Sequence, residues 1–317
     1  MVRALGRFVL RSRAHAAGCA ALCLIAGWLV PSLLPLLSYL SGTMTALAAL
    51  RAGAWQGLMV IVMAALITAL GGMIGLGSPL PGLVMVPSLW LPVWFCAVIL
   101  RHTRRQGLML LAAAFLAASF AAAVHLLTGD AAGFWTRIVR QAQDSAEAGG
   151  MSLLMPAAEL APLMRWMNSI MALSVLVSLA FIVLAARWWQ AALVYPGGFA
   201  REFRELQLPR GPTLAWGLAA LLLAWQQGTL GNAAAGPVGL GADLLVLWAA
   251  LLAHQGLALM HDQAGRVQGG WILLVLLYLG LLAAGLWTGL ALAGAGLAEV
   301  LFHRRRAGDQ KQFGQAP

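Results

Sequence analysis

Apolar residues run along this chain in long unbroken stretches, and polar residues gather in the connections between them. The first stretch covers about Ala14 to Val30, the second ends at Leu50, and the third runs from about Ala54 to Gly75. A fourth ends at Leu100 and a fifth covers Gln106 to Leu127. Beyond a long polar interval lie a sixth (Asn168 to Ala186), a seventh (Pro212 to Gly228) and an eighth (about Val238 to Met260). Runs of about 20 apolar residues suit a helix crossing roughly 30 Å of hydrocarbon at about 1.5 Å per residue. The predicted fold class is an all-α integral membrane protein, a single polytopic domain over 1–317 built as a bundle of 8–10 transmembrane helices. The final stretch, Trp271 to Phe302, is too long for one ordinary span. It predicts a short hairpin turning near Gly285, with one long tilted helix as the alternative.

Composition agrees with the pattern. Of the 317 residues, 62% are hydrophobic and 9% charged, against about 45–50% and about 25% in ordinary soluble domains. The formal charge of +10 and pI near 11.1 could signal nucleic-acid binding. The basic residues, however, sit in short clusters at span boundaries rather than on one soluble face, so no nucleic-acid partner is expected. With the N-terminus inside, 17 of the 20 Lys and Arg fall on inside segments. The other three, Arg137, Arg140 and Arg165, lie in 128–167. By the positive-inside rule, 128–167 is an external loop, while 187–211 and the basic tail 303–317 are cytoplasmic. Two short surface helices, about Phe134–Glu147 and Pro156–Trp166, are expected in the external loop, either as a lid over polar residues at the outer span ends or as a cover of the membrane edge. The expected location is a bacterial inner membrane, multi-pass. Cys19, Cys23 and Cys96 all fall in spans and read as packing residues.

The segment 187–210 is the densest local signal. Trp188 and Trp189 suit the headgroup region. Pro196-Gly197-Gly198 is a turn, and Phe199, Phe203 and Leu206 recur at helical spacing beside Arg201, Glu202, Arg204 and Glu205. A short cytoplasmic interfacial amphipathic helix is predicted, with Arg201 and Glu205 as an i,i+4 pair. The segment serves either as an anchor or as a partner-docking surface through Arg187, Trp188, Trp189, Phe199, Glu202, Phe203 and Arg204.

Arg187-Trp188-Trp189-Gln190, Pro196-Gly197-Gly198-Phe199, Glu202-Phe203-Arg204 and Leu208 together resemble the signature of the YybS-like family of bacterial membrane proteins. Leu91-Pro92-Val93-Trp94 leading to Leu100-Arg101-His102-Thr103-Arg104 fits the same resemblance, as does the small-residue helix ending in Arg304-Arg305-Arg306. Two positions depart from it: Tyr195 stands where the family carries Asn, and Glu299 is the nearest match to an Asp of the last helix. The resemblance implies a multi-span inner-membrane protein, often encoded among ribosomal-protein genes, and carries no activity with it. A more distant similarity is to substrate-binding components of energy-coupling-factor transporters. It implies a pocket near the outer surface and a transmembrane partner met through Ala-x-x-x-Ala, here Ala16/Ala20 and Ala17/Ala21.

Polar residues inside spans are costly in hydrocarbon and usually face a cavity or partner. His125, Asn168, Gln226, Gln227 and Asp243 fall near the outer ends of spans five to eight, which marks them as candidate substrate-binding residues or as headgroup contacts. His254 and His261 share a helix face but lie about 10 Å apart along it, too far for one metal ion. Gly71-x-x-x-Gly75 and Gly285-x-x-x-Gly289 read as helix-packing motifs. No phosphate loop, HExxH or GxSxG occurs, so no catalytic residue, cofactor or metal is expected. Three readings are left: a solute-binding or transport component, a non-catalytic scaffold, and an intramembrane enzyme, which needs a paired acid, base or nucleophile that the sequence does not offer. The partners are the lipid bilayer with either a small solute or a membrane or cytoplasmic protein. The orientation is testable by single-cysteine labelling in a cysteine-free background. Ser145→Cys should react with an impermeant maleimide on intact cells, and Glu205→Cys should react only after lysis. The reverse result overturns the span assignment.

Overall fold

The computed structural model describes residues 2–148, 157–229 and 239–302. The basic tail and the Gly149-Gly150 break lie outside the described residues. The chain order is α1 (Val2–Val9), α2 (Arg13–Leu29), α3 (Leu34–Ala52), α4 (Ala54–Leu76), α5 (Leu80–Met85), α6 (Leu91–Thr103), α7 (Gln106–Thr128) and α8 (Ala131–Ala148). It continues with α9 (Ala157–Val194), α10 (Gly198–Arg204), α11 (Arg210–Gln226), α12 (Leu240–Arg266), α13 (Trp271–Ala283) and α14 (Gly285–Phe302). No strand occurs among the described residues. Seven helices are long and apolar enough to cross a membrane, or eight if the bent pair α1 and α2 counts as one span. Helix is the expected answer, because hydrocarbon offers backbone N–H and C=O groups no partner outside the chain. The chain is a multi-pass, all-α membrane protein.

Two compact units are present, Met1–Ala113 with Val177–Leu206, and Ala114–Leu176 with Gln207–Pro317. In the first, α2 packs against α3 and α4. Its Ala16, Ala17, Ala20 and Ala21 are buried there, so the Ala-x-x-x-Ala faces are covered by this chain's own helices. The fourth span is interrupted. Pro87 and Pro92 remove backbone donors, and a π-helical turn at Val86–Trp90 separates α5 from α6. That turn sets Trp90 fully inside, where its Nε1 donates to Ser41 Oγ at 3.0 Å.

In the second unit, α11 and α12 are tied by two indoles. Trp216 Nε1 donates to the Leu244 carbonyl at 3.1 Å, and Trp248 Nε1 donates to the Thr213 carbonyl at 2.9 Å. A tighter crossing joins α12 to α14. A Cβ on Gly256 would sit 2.0 Å from the Leu292 carbonyl oxygen, and one on Gly296 would sit 2.0 Å from that of Leu252. Those two glycines let the backbones touch. Gly75, Gly285 and Gly289 of the two sequence-predicted packing motifs have open space at the Cβ position, and Gly71 meets only the Ile25 side chain. The packing glycines of this crossing are therefore a pair from different helices, invisible to a motif search within one.

Three expectations are corrected. The second surface helix of the external loop does not stand apart: α9 runs unbroken through Pro162 for 38 residues, about 57 Å. The short amphipathic helix spans Gly198–Arg204 only, so Glu205 lies beyond it. Arg201 instead sits over the Tyr195 ring, 4.9 Å from its centroid, and makes no ion pair with Glu205 among the described residues. The terminal stretch breaks at Ala284, where the turn is predicted, but its two arms are not two crossings. Leu292 meets Gly256 and Gly296 meets Leu252, a register that sets α14 antiparallel to α12. Gly270, just before α13, lies against Ala264, and Tyr278 Oη reaches His261 Nε2 at 3.2 Å, so α13 stays at the Arg266 end of α12. Only α14 runs toward the Asp243 end, so Phe302 lies at that end of α12 and not at the Arg266 end, where a cytoplasmic tail is expected to begin.

The crossing gives a stability test in detergent. Gly256→Ala or Gly296→Ala should each cost about 1–3 kcal/mol through forced separation of the backbones. Gly289→Ala should be neutral or slightly stabilising by helix propensity, about 1 kcal/mol at most. Equal effects at all three positions would show that the close crossing is not formed.

Candidate functional site

Asp243 lies in the first turn of α12, where aligned peptide dipoles favour a negative group. Its side chain turns inward, and the residue is 2% exposed. Donors from two other helices meet it. His125 in the last turn of α7 places Nε2 2.8 Å from Oδ2, and Asn168 Nδ2 of α9 donates to the same oxygen at 2.5 Å. Ser169, the next residue of α9, donates to Oδ1. Among the described residues the carboxylate has no Lys or Arg beside it, and His125 is its one ion-pair candidate. Burying a carboxylate without partners costs several kcal/mol. Here three donors and a helix N-terminus offset that cost.

Asn168 is fixed in orientation. Its amide nitrogen also approaches the Ala121 carbonyl at 3.4 Å, and its oxygen accepts from Trp135 Nε1 at 3.3 Å. An indole only donates and an ionised carboxylate only accepts, so one amide rotamer satisfies both. Trp135 belongs to α8, the helix predicted for the external loop. That loop therefore reaches the site through a side-chain hydrogen bond. His125 is the part-exposed member, its side chain 21% accessible. With Nε2 engaged by Asp243, its Nδ1 has no hydrogen-bond partner among the described residues.

Of the five residues singled out in the sequence, the structure brings together Asp243, His125 and Asn168. It does not bring the two glutamines to them. Gln226 is exposed. Gln227 turns its Oε1 to accept from Gly241 N at 2.9 Å, satisfying a free amide at the start of α12. The sequence reading missed Ser169 and Trp135. Serine in an apolar helix more often bonds the carbonyl one turn back, as Ser174 does to Ile170, so nothing in the sequence singles Ser169 out. Glu299 of α14 is a second buried acid, 8% exposed.

The docking residues divide. Arg187 grips Glu202 through the Nε–Nη2 edge of its guanidinium, Nε to Oε2 at 2.8 Å and Nη2 to Oε1. Phe199 and Phe203 stack at 6.0 Å. Trp189 is buried, its Nε1 2.7 Å from where a Cβ on Gly6 of α1 would lie. Trp188 is half exposed and Arg204 exposed. The segment is thus folded onto its own unit, with Trp188 and Arg204 left on its accessible side. His254 and His261 donate Nδ1 to the carbonyls one turn back, Ala250 and Leu257, at 2.8 and 2.9 Å. Among the described residues no group of three His, Cys, Asp or Glu is placed to hold a metal ion.

Comparison with family models, with curated proteins and with solved structures gives no match. The residues themselves therefore carry the functional argument.

The hydrogen bonds at Asp243 predict two different substitution outcomes. Asp243→Leu orphans three donors at about 1–3 kcal/mol each, so unfolding in detergent should show a loss of about 3 kcal/mol or more. Asp243→Asn keeps an oxygen for His125 and Asn168, and Ser169 can turn to accept from the new amide. That change should stay within about 1 kcal/mol. Similar losses for both would mean that these bonds do not hold the site together.

Proposed function

We propose that this chain is a small-solute binding or transport component of a bacterial inner membrane, with its N-terminus in the cytoplasm. The Asp243 cluster on the outer side is its ligand site. The observation that carries the reading is a buried carboxylate held by His125, Asn168 and Ser169, with no Lys or Arg among the described residues to neutralise it. A structural salt bridge would use a Lys or Arg. A carboxylate beside a part-exposed imidazole instead suits a ligand ammonium or hydroxyl group. Such a ligand bonds His125 Nδ1 and draws on the charge of Asp243 behind it. The resemblance to transporter substrate-binding components is in keeping with this reading. No ATP-binding motif occurs in the sequence, so uphill movement needs a partner protein or an ion gradient.

The alternative is a non-catalytic scaffold docking a cytoplasmic protein through 187–210. It draws on the half-exposed Trp188. The engagement of Arg187 with Glu202 and the burial of Trp189 count against it.

The deciding experiment is a thermal-shift screen of the purified chain against small amines and polyols, repeated on Asp243→Asn. Solutes that stabilise the parent should leave Asp243→Asn unshifted while its melting temperature alone is unchanged. A panel that shifts neither protein, or shifts both equally, rejects the outer site and favours the scaffold.

A further inference from the structure

Arginines at the ends of membrane helices are ordinary. They neutralise C-terminal carbonyls and meet lipid headgroups. What is unusual in the first unit is their convergence. Arg51 at the end of α3, Arg101 and Arg104 at the end of α6, and Arg187 near the end of α9 line one cavity of about 590 Å³, together with Leu50, Leu100, Gln190 and Glu202. That volume is in the range of small-molecule sites. Four guanidinium groups face one carboxylate, so the cavity carries an excess of positive charge.

The lining is ordered by hydrogen bonds that cross between helices. The Leu50 carbonyl accepts from Arg101 Nη1 and from Gln190 Nε2, the latter at 3.2 Å. Gln190 Oε1 accepts from Arg187 Nη1 at 2.6 Å, and Glu202 accepts from the other guanidinium edge. Arg101 and Arg187 are therefore held in place. The guanidinium groups of Arg51 and Arg104 have no ion-pair or hydrogen-bond partner among the described residues. Arg104 also adopts a left-handed conformation, φ 55° and ψ 19°, at a helix terminus where glycine is the usual occupant. A non-glycine residue there costs on the order of 1 kcal/mol, which a purely structural cap would avoid by using glycine.

We propose that this cavity is a binding site for a phosphate group. Guanidinium forks match phosphate oxygens in pairs. Arg51 and Arg104 supply the free forks, and Arg101 and Arg187 supply the fixed positive wall. Inorganic phosphate is small for the space, so the ligand carries more than the anion: a soluble phosphate monoester or the phosphodiester headgroup of an anionic lipid. The site involves none of the residues around Asp243 and stands independently of the function proposed for them.

The test uses the full chain with two probes, glycerol 3-phosphate in detergent and phosphatidylglycerol in phosphatidylcholine nanodiscs. Binding is read by thermal shift and by lipid retained in native mass spectrometry. The variants are Arg51→Gln, Arg104→Gly and their double, with Arg105→Gln as the neighbouring charge that does not line the cavity. The parent should bind at least one probe. Each cavity variant should weaken it by roughly tenfold, and Arg105→Gln should leave it within about twofold. Arg104→Gly should meanwhile unfold no more easily than the parent, because glycine suits the left-handed position. Response to glycerol 3-phosphate alone identifies a soluble ligand, response to phosphatidylglycerol alone a headgroup, and response to both a shared phosphate site. If the parent binds neither probe, if the cavity variants bind as the parent does, or if Arg105→Gln weakens binding as much as they do, the proposal is wrong.

Discussion

In hydrocarbon a polar group with no partner has no water to fall back on, and each such group costs several kcal/mol. Helix is the immediate consequence for the backbone, and the same constraint arranges the side chains. The indoles of Trp90, Trp94, Trp216 and Trp248 each find an acceptor on a neighbouring element. Thr43, Thr68 and Ser174 return their hydroxyl protons to carbonyls of their own helices. Where a hydroxyl and an amide point away from their own helix, at Ser169 and Asn168, they do so because a carboxylate on α12 receives them. The cluster at Asp243 is the same rule applied to the most demanding group, a charge.

The spans were legible because length and hydropathy set them one at a time. The apolar stretches read from the sequence are helical over most of their described length, and the break in the last one falls at Ala284 beside the expected Gly285, but the seventh, α11, is not among the helices long and apolar enough to cross a membrane. What was illegible depends on pairs of helices. Gly256 and Gly296 have no motif within either helix, yet they set the α12–α14 approach and with it the direction of α14. That Gln227 caps α12 rather than joining Asp243 follows from how far α11 extends, which sequence places only to within a turn. The basic cavity draws its four arginines from three separate chain segments. Read singly, they look like boundary charges.

The segment 187–206 shows how one pattern serves two ends. Its amphipathic spacing and aromatic residues read as a surface feature, and α10 is indeed short and polar on one side. Yet the double contact between Arg187 and Glu202 draws α10 back against the end of α9. Trp189 points inward toward α1. The charges that look available in sequence are partly committed, and the boundary arginines of α3 and α6 are left with the larger positive excess.

The hydrogen-bond chain through Asn168 has a direction. Trp135 donates to it, and it donates onward to Asp243. An indole does not release its proton at ordinary pH and an amide does not either, so this arm carries polarity but no protons. Ser169 is buried to 1% and reaches no bulk water. The remaining neighbour, the imidazole of His125, is the part-exposed one, its side chain 21% accessible. Among the described residues, access to Asp243 therefore runs past His125, and α8 braces the frame without standing in it.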